Sequence, residues 1–149
     1  MSNTGVNSRN HGDPNLLQRM RQHWSSREQH AFLLSCFHVP PAAPLLEQLL
    51  HYLADLPTDT LLESVEGLRA LDLQPYLGQV RAPTLIAHGE LDTRRRVEDA
   101  NKLASAIPGA SLQLLPGGHT PMVDCTHEYA TAVEQFLHRS HTASLAQVP

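Results

Sequence analysis

The stretch "PTLIAHGELD", residues 83–92, decides how this chain is read. Pro83 opens it, a mostly apolar run without alternation follows, Gly89 closes it, and Asp92 stands three residues on. A short continuous apolar run bounded by breakers predicts a strand of a parallel sheet covered on both faces. "LLPGGHTPM", residues 114–122, repeats the design with His119 in place of the acid, and "SLQLL" before the glycines is the second predicted strand. Between the two runs, Val97, Ala100, Leu103, Ala104 and Ile107 recur at helical spacing until Pro108 and Gly109 stop them. Two strands joined by a helix are parallel, so their carboxyl ends lie on one edge of the sheet. Asp92 and His119 therefore share that edge, where open α/β sheets place their ligands. An aspartate that accepts from one ring nitrogen of a histidine fixes the tautomer and leaves the other nitrogen to take a proton.

The remaining composition removes other classes of function. Lys and Arg total 11 against 15 Asp and Glu, and the one basic cluster, Arg94-Arg95-Arg96, is too short for a nucleic-acid footprint. No run approaches the length of a spanning helix, and the polar opening "MSNTGVNSRNHGDP" lacks the apolar segment of a signal peptide, so a cytoplasmic protein with no membrane partner is expected. Cys36 and Cys125 stand in no metal-binding or redox spacing and read as small buried or half-buried residues. Ten histidines invite a metal, yet their spacings are poor: His23 and His30 are seven apart, and His138 and His141 fall near the C-terminus. No metal and no cofactor are expected.

Along the chain, residues 1–13 read as a disordered lead-in, 14–71 as a helical region, 72–138 as the α/β core and 139–149 as a flexible tail. Within the helical region Ser25 with Glu28 forms a capping-box pattern ahead of Ala31, Phe32, Leu34 and Phe37. A second helix follows "VPPAAP" with Leu45, Leu46, Leu49, Leu50 and Leu53 on one face. A third follows Pro57, capped by Thr60 with Glu63 and carrying Leu61, Leu62, Val65 and Leu68. The closing helix "THEYATAVEQFLHR" presents Tyr129, Val133, Phe136 and Leu137 along one face.

The segments "LDLQPYLGQVRAPTLIAHGELD", "LASAIPGASLQLLPGGHTPMVD" and "EYATAVEQFL" resemble the C-terminal half of an α/β-hydrolase. They are most similar to the carboxylesterases of the pimeloyl-acyl-carrier-protein methyl esterase kind and to the meta-cleavage-product hydrolases. The resemblance implies two parallel strands with flanking helices, Asp92 as the triad acid, His119 as the triad base, and residues 14–71 as a lid. It implies hydrolysis of a small carboxylic ester or thioester without a cofactor. In that family the nucleophile sits in a G-x-S-x-G elbow upstream of the lid. This sequence has no such motif: Ser25, Ser26, Ser35, Ser64, Ser105 and Ser111 lack the glycines of the sharp turn, as do Cys36 and Cys125. His88-Gly89 and "HGDP" at 11–14 mimic the family's oxyanion-loop dipeptide, but no elbow follows the first and no apolar strand precedes the second.

The expected protein is thus the acid-and-histidine half of a serine hydrolase, inactive alone. Its N-terminal half would be a separate polypeptide or lost by truncation or frameshift; the alternative is a non-catalytic remnant acting as a binding or interaction module. A sheet reduced to two strands exposes unpaired backbone groups, which predicts poor autonomous stability. Trp24 and Phe37 are candidates for lining an acyl pocket, and Arg94, in the "TRRR" that departs from the family pattern after the acid, for meeting a carboxylate or an acidic carrier.

Overall fold

The computed structural model describes residues 15–145, so the lead-in 1–13 and residues 146–149 of the predicted tail lie outside it. Four helices come first: α1 (Leu16–His23), α2 (Ser26–Leu34), α3 (Ala43–Asp55) and α4 (Thr58–Ala70). A short turn of helix, α5 (Gln74–Leu77), leads into β1 (Leu85–Gly89), α6 (Val97–Ala106) and β2 (Ser111–Leu115). The chain then forms the one-turn α7 (Pro121–Asp124) and the long α8 (Thr126–Leu145). None of the helices among the described residues is long and apolar enough to cross a membrane.

Local chemistry explains most helix starts. Ser25, in extended geometry, accepts from the Glu28 amide at 3.4 Å and begins α2 where the capping pattern places it. Pro44 and Pro121 fill first-turn positions of α3 and α7, where the missing N–H costs nothing. The predicted Thr60 cap is not used. Helix α4 starts directly after Pro57, which is its cap residue, three before Thr60, and makes no side-chain cap bond, so Thr60 lies inside the first turn and its carbonyl accepts from the Ser64 hydroxyl at 2.7 Å. Helix α1 is an addition to the three helices read from residues 14–71; Leu16 and Met20, one turn apart, are its buried face. An ion pair between Arg21 of α1 and Glu66 joins it to α4.

The two strands pair in parallel with Leu85 opposite Ser111 and Gly89 opposite Leu115. Among the described residues these are the whole sheet. Leu115, Cys125 and Ala132 form its buried cluster, with Ala87 and Tyr129 packed against it. The expected cover on both faces of β1 is incomplete: Leu85 to His88 are only half-buried, since α6, α7 and α8 leave the edge away from β2 unpaired. Leu137 is 58% exposed, because Ala132 and not Leu137 carries α8 onto the sheet. Helix α8 continues through 139–145, where "SHTASL" contains neither proline nor glycine to stop it.

Candidate active site

Both loops at the carboxyl edge are built by backbone contact before any side chain takes part. Beyond the strand ends the Glu90 amide donates to the Leu115 carbonyl at 2.8 Å, and the Leu91 amide donates to the Gly117 carbonyl at 3.0 Å. The loops are therefore zipped together as an extension of the ladder. Gly89 makes this possible: a Cβ there would overlap the carbonyl oxygens of Gly117 and Gly118. Sequence patterning alone offers Gly89 as a strand terminator, whereas its task is to admit the second loop.

Asp92 turns in one step past this junction. Its Oδ1 accepts from the Arg94 amide at 2.7 Å and the Arg95 amide at 3.0 Å, which fixes the carboxylate plane. Its Oδ2 lies 2.9 Å from His119 Nδ1. The Asp92 side chain is 3% exposed and the His119 ring 35%, so the acid is enclosed while the imidazole opens outward. Burial by itself would push the Asp92 carboxyl up, but the bond from His119 and the two amides together outweigh it and hold the group below the usual carboxylate range. A carboxylate accepts only, so Nδ1 carries the proton and Nε2 keeps its lone pair. Among the described residues Nε2 has no hydrogen-bond partner. The structure thus brings together the two residues that the sequence nominated from strands 27 residues apart.

The His119 loop is tied to the helical region by groups that sequence reading missed. Asp124 Oδ2 accepts from the Gly118 amide at 2.6 Å and from the His38 amide at 3.0 Å, and Oδ1 accepts from the Val39 amide at 3.3 Å. The Thr120 hydroxyl donates to the Cys36 carbonyl at 2.9 Å. Gly118 is needed at this crossing: a Cβ on it would stand 2.7 Å from the His38 nitrogen. The sequence signal for Asp124 is slight, a carboxylate five residues after His119.

The three other nominated residues part company. Arg94 and Phe32 line a cavity of about 310 Å³ between α1, α2 and the Asp92 loop, whereas Trp24 and Phe37 do not line it. The Arg94 guanidinium stacks over the Phe32 ring at 4.6 Å, and its Nη1 donates to the Ser35 hydroxyl at 2.6 Å. Trp24 packs against Phe32, ring edge to face, with centroids 5.7 Å apart. Phe37 contributes backbone, its carbonyl carbon lying beside Gly118. Cys125 is buried and donates to the Pro121 carbonyl at 3.2 Å, and Cys36 is half-buried near the acid loop. Burial pushes the Cys36 thiol up, against the opposing pull of Arg94 and with a smaller push from the Asp92 charge. Among the described residues no three His, Cys, Asp or Glu side chains gather as a set that could hold a metal ion.

No family model matches the chain. Two curated relatives do: a protein of Pseudomonas syringae pv. syringae named as carbamate hydrolase RutD is 33% identical over 89 residues, 58% of this chain and 34% of its own length. Its namesake from Pseudomonas savastanoi pv. phaseolicola is 31% identical over 97 residues, 64% of this chain and 38% of its own. The chain thus spans little more than a third of the curated relatives it matches. Among solved structures, a bromoperoxidase from Bacillus anthracis superposes with TM-score 0.76 at 19% identity, over 84% of this chain and 48% of that one. An esterase from Exiguobacterium antarcticum gives 0.74 at 23% identity, over 83% and 46%. A hydrolase from Pseudomonas aeruginosa PA01 gives 0.72 at 26% identity, over 83% and 48%.

Proposed function

With the C-terminal half of the α/β-hydrolase fold as its architecture, we propose that this chain is the acid-and-histidine half of a serine hydrolase acting on a carboxylic ester or thioester. The observation that carries the reading is the 2.9 Å contact of His119 Nδ1 with an enclosed Asp92, at the carboxyl edge of a parallel sheet, with Nε2 unpartnered among the described residues. In this role Nε2 is the general base. A serine supplied from outside these 149 residues attacks the acyl carbon, its proton passes to Nε2, and the imidazolium then returns that proton to the leaving alcohol or thiol. Water, activated by the same nitrogen, then cleaves the acyl-enzyme. Asp92 holds the tautomer throughout and stabilises the imidazolium while the proton is on the ring.

The chain's own sequence holds no G-x-S-x-G, and the oxyanion donors of such enzymes come from the residue after the nucleophile and from an earlier loop. Catalysis therefore requires the half of the fold that the superposed structures have and this chain does not span. The unpaired edge of β1 is the surface such a half would use, adding a strand beside Leu85–Gly89 and covering faces now half-exposed. On this reading residues 14–71 act as the lid over the completed site.

The test is co-expression with an N-terminal half carrying strands, oxyanion loop and elbow, taken from a full-length relative. Size-exclusion chromatography then reads assembly, and a short-chain nitrophenyl ester reads turnover. Hydrolysis should appear only in the mixture and vanish with His119→Ala while assembly persists. A folded chain that ignores every such half contradicts the proposal and favours a binding module instead.

A further inference from the structure

The cavity between α1, α2 and the Asp92 loop is not explained by the acid–histidine pair, since neither Asp92 nor His119 lines it. Leu16 and Phe32 give it apolar wall; Arg19, Ser35, Thr93 and Arg94 give it polar wall, and among the described residues neither Asp nor Glu lines it. The two arginines differ in their surroundings. Arg19 is paired with Glu28 at 3.1 Å, so its charge is offset within the fold. Arg94 has no carboxylate partner for its guanidinium among the described residues: Nη1 meets a neutral hydroxyl, the flat face meets Phe32, and Nε is enclosed without an acceptor. Its charge is felt by its neighbour. Burial first, and then repulsion by Arg94, pushes the Arg95 guanidinium below its ordinary value. A half-buried cation short of acceptors, at the wall of a cavity with apolar surface beside it, matches an anion that carries a short carbon chain.

We infer that this cavity binds a small organic monocarboxylate, with the carboxylate on the Arg94 guanidinium, which the Ser35 hydroxyl oxygen holds in place, and the carbon chain against Phe32 and Leu16. The volume of about 310 Å³ sits at the small end of ligand pockets, which favours a chain of a few carbons over a long acyl group. Ser35 then has a role that its sequence context hides. Its hydroxyl donates to the Phe32 carbonyl at 2.6 Å and so turns a lone pair to Arg94 Nη1, which holds the guanidinium in place. As a statement about substrate, that it carries an acidic arm, the inference rests on the hydrolase reading. As a statement about binding it stands on the cavity.

The experiment is a titration of the isotope-labelled full chain, alone and in complex with the N-terminal half, with hexanoate and in parallel with hexanamide. Hexanamide has the same carbon chain without the charge. Resonances of the Arg94 Nε–H and of the Phe32, Ser35 and Thr93 amides report occupancy. Hexanoate is expected to give saturable shifts at these four residues, with hexanamide at least tenfold weaker. Arg94→Gln should weaken hexanoate at least tenfold, and Arg94→Lys should restore part of the loss. Ser35→Ala, which keeps the charge and changes one hydroxyl, gives a second readout if Arg94→Gln does not fold; it should weaken hexanoate several-fold. Equal binding of acid and amide, undiminished binding by the folded Arg94 or Ser35 variants, or no saturable shift in the wild type overturns the inference. The two readings fail separately: a complex that hydrolyses esters but does not bind hexanoate sinks only this one, and hexanoate binding in an inactive complex sinks only the hydrolase proposal.

Discussion

Replacing Asp124 by alanine removes one acceptor from three backbone donors at once, and the loss can be sized from where those donors sit. The Gly118 amide, at 2.6 Å, belongs to a buried glycine wedged between His38 and Asp124, so water cannot readily replace the carboxylate. Leaving such a donor unmet costs about 1–3 kcal/mol. The His38 and Val39 amides, at 3.0 and 3.3 Å, lie near the surface and recover water, so each bond is worth nearer ~0.5 kcal/mol. Together these give about 3 kcal/mol, roughly a hundredfold in the folding equilibrium. Asp124→Asn keeps one acceptor oxygen of the same shape and should lose about half as much. Urea unfolding followed by circular dichroism reads the difference: with a slope of about 1.5 kcal/mol per molar, the alanine midpoint should fall by about 2 M. The amide resonances of Gly117, Gly118 and His119 should shift more than those of α6, because the bond that goes is the one holding the His119 loop against residues 37–39. An alanine variant within 0.5 kcal/mol of wild type, with the loop resonances unmoved, would refute the argument that Asp124 fastens the histidine loop to the helical region.

Three other outcomes follow from named contacts. Gly89→Ala should disrupt the junction of the two loops, since its Cβ must displace the Gly117 and Gly118 carbonyls; loss of the Leu91 amide's protection from hydrogen exchange would register it, and unchanged protection would count against it. Asp92 binds its proton more weakly folded than unfolded, so the stability it contributes is complete above about pH 5, begins to fall near the unfolded value of about 4 and is lost as the pH drops through the folded one. Urea unfolding between pH 6 and pH 3 should therefore show a steeper acid loss in wild type than in Asp92→Asn, and equal slopes would contradict it. The chain alone should neither hydrolyse a nitrophenyl ester nor take up a fluorophosphonate, since no serine here stands in an elbow; stoichiometric serine labelling would overturn that expectation.

The parts of this structure legible in the sequence are those set by local rules. Pro83 and Gly89 bracket a strand, the helical spacing from Val97 to Ile107 forces a crossover, and the crossover forces Asp92 and His119 to one edge. Capping chemistry placed α2 through Ser25, and Pro57 marked the start of α4, but the cap expected of Thr60 is not used, because at Pro57 a fixed backbone angle acts instead. What escaped depends on contacts between distant segments. Asp124 meets His38 across 86 residues, and no period or spacing announces that pairing. The aromatic beside Arg94 is Phe32 and not Trp24 or Phe37, since which face of α2 meets the acid loop follows from tertiary packing. Leu137 shares an apolar stripe with Tyr129, Val133 and Phe136 yet is exposed, because a two-stranded sheet offers α8 too little surface to cover the whole stripe.

The central claim is that Asp92 presents His119 with its proton on Nδ1 and its lone pair on Nε2. Long-range nitrogen–proton correlation spectra of the imidazole, recorded at alkaline pH on the folded chain, read that tautomer directly. The account predicts that Nδ1 bears the proton in wild type and that Asp92→Ala releases the ring to exchange between the two forms. A wild-type ring protonated on Nε2, or a tautomer indifferent to Asp92, would contradict it.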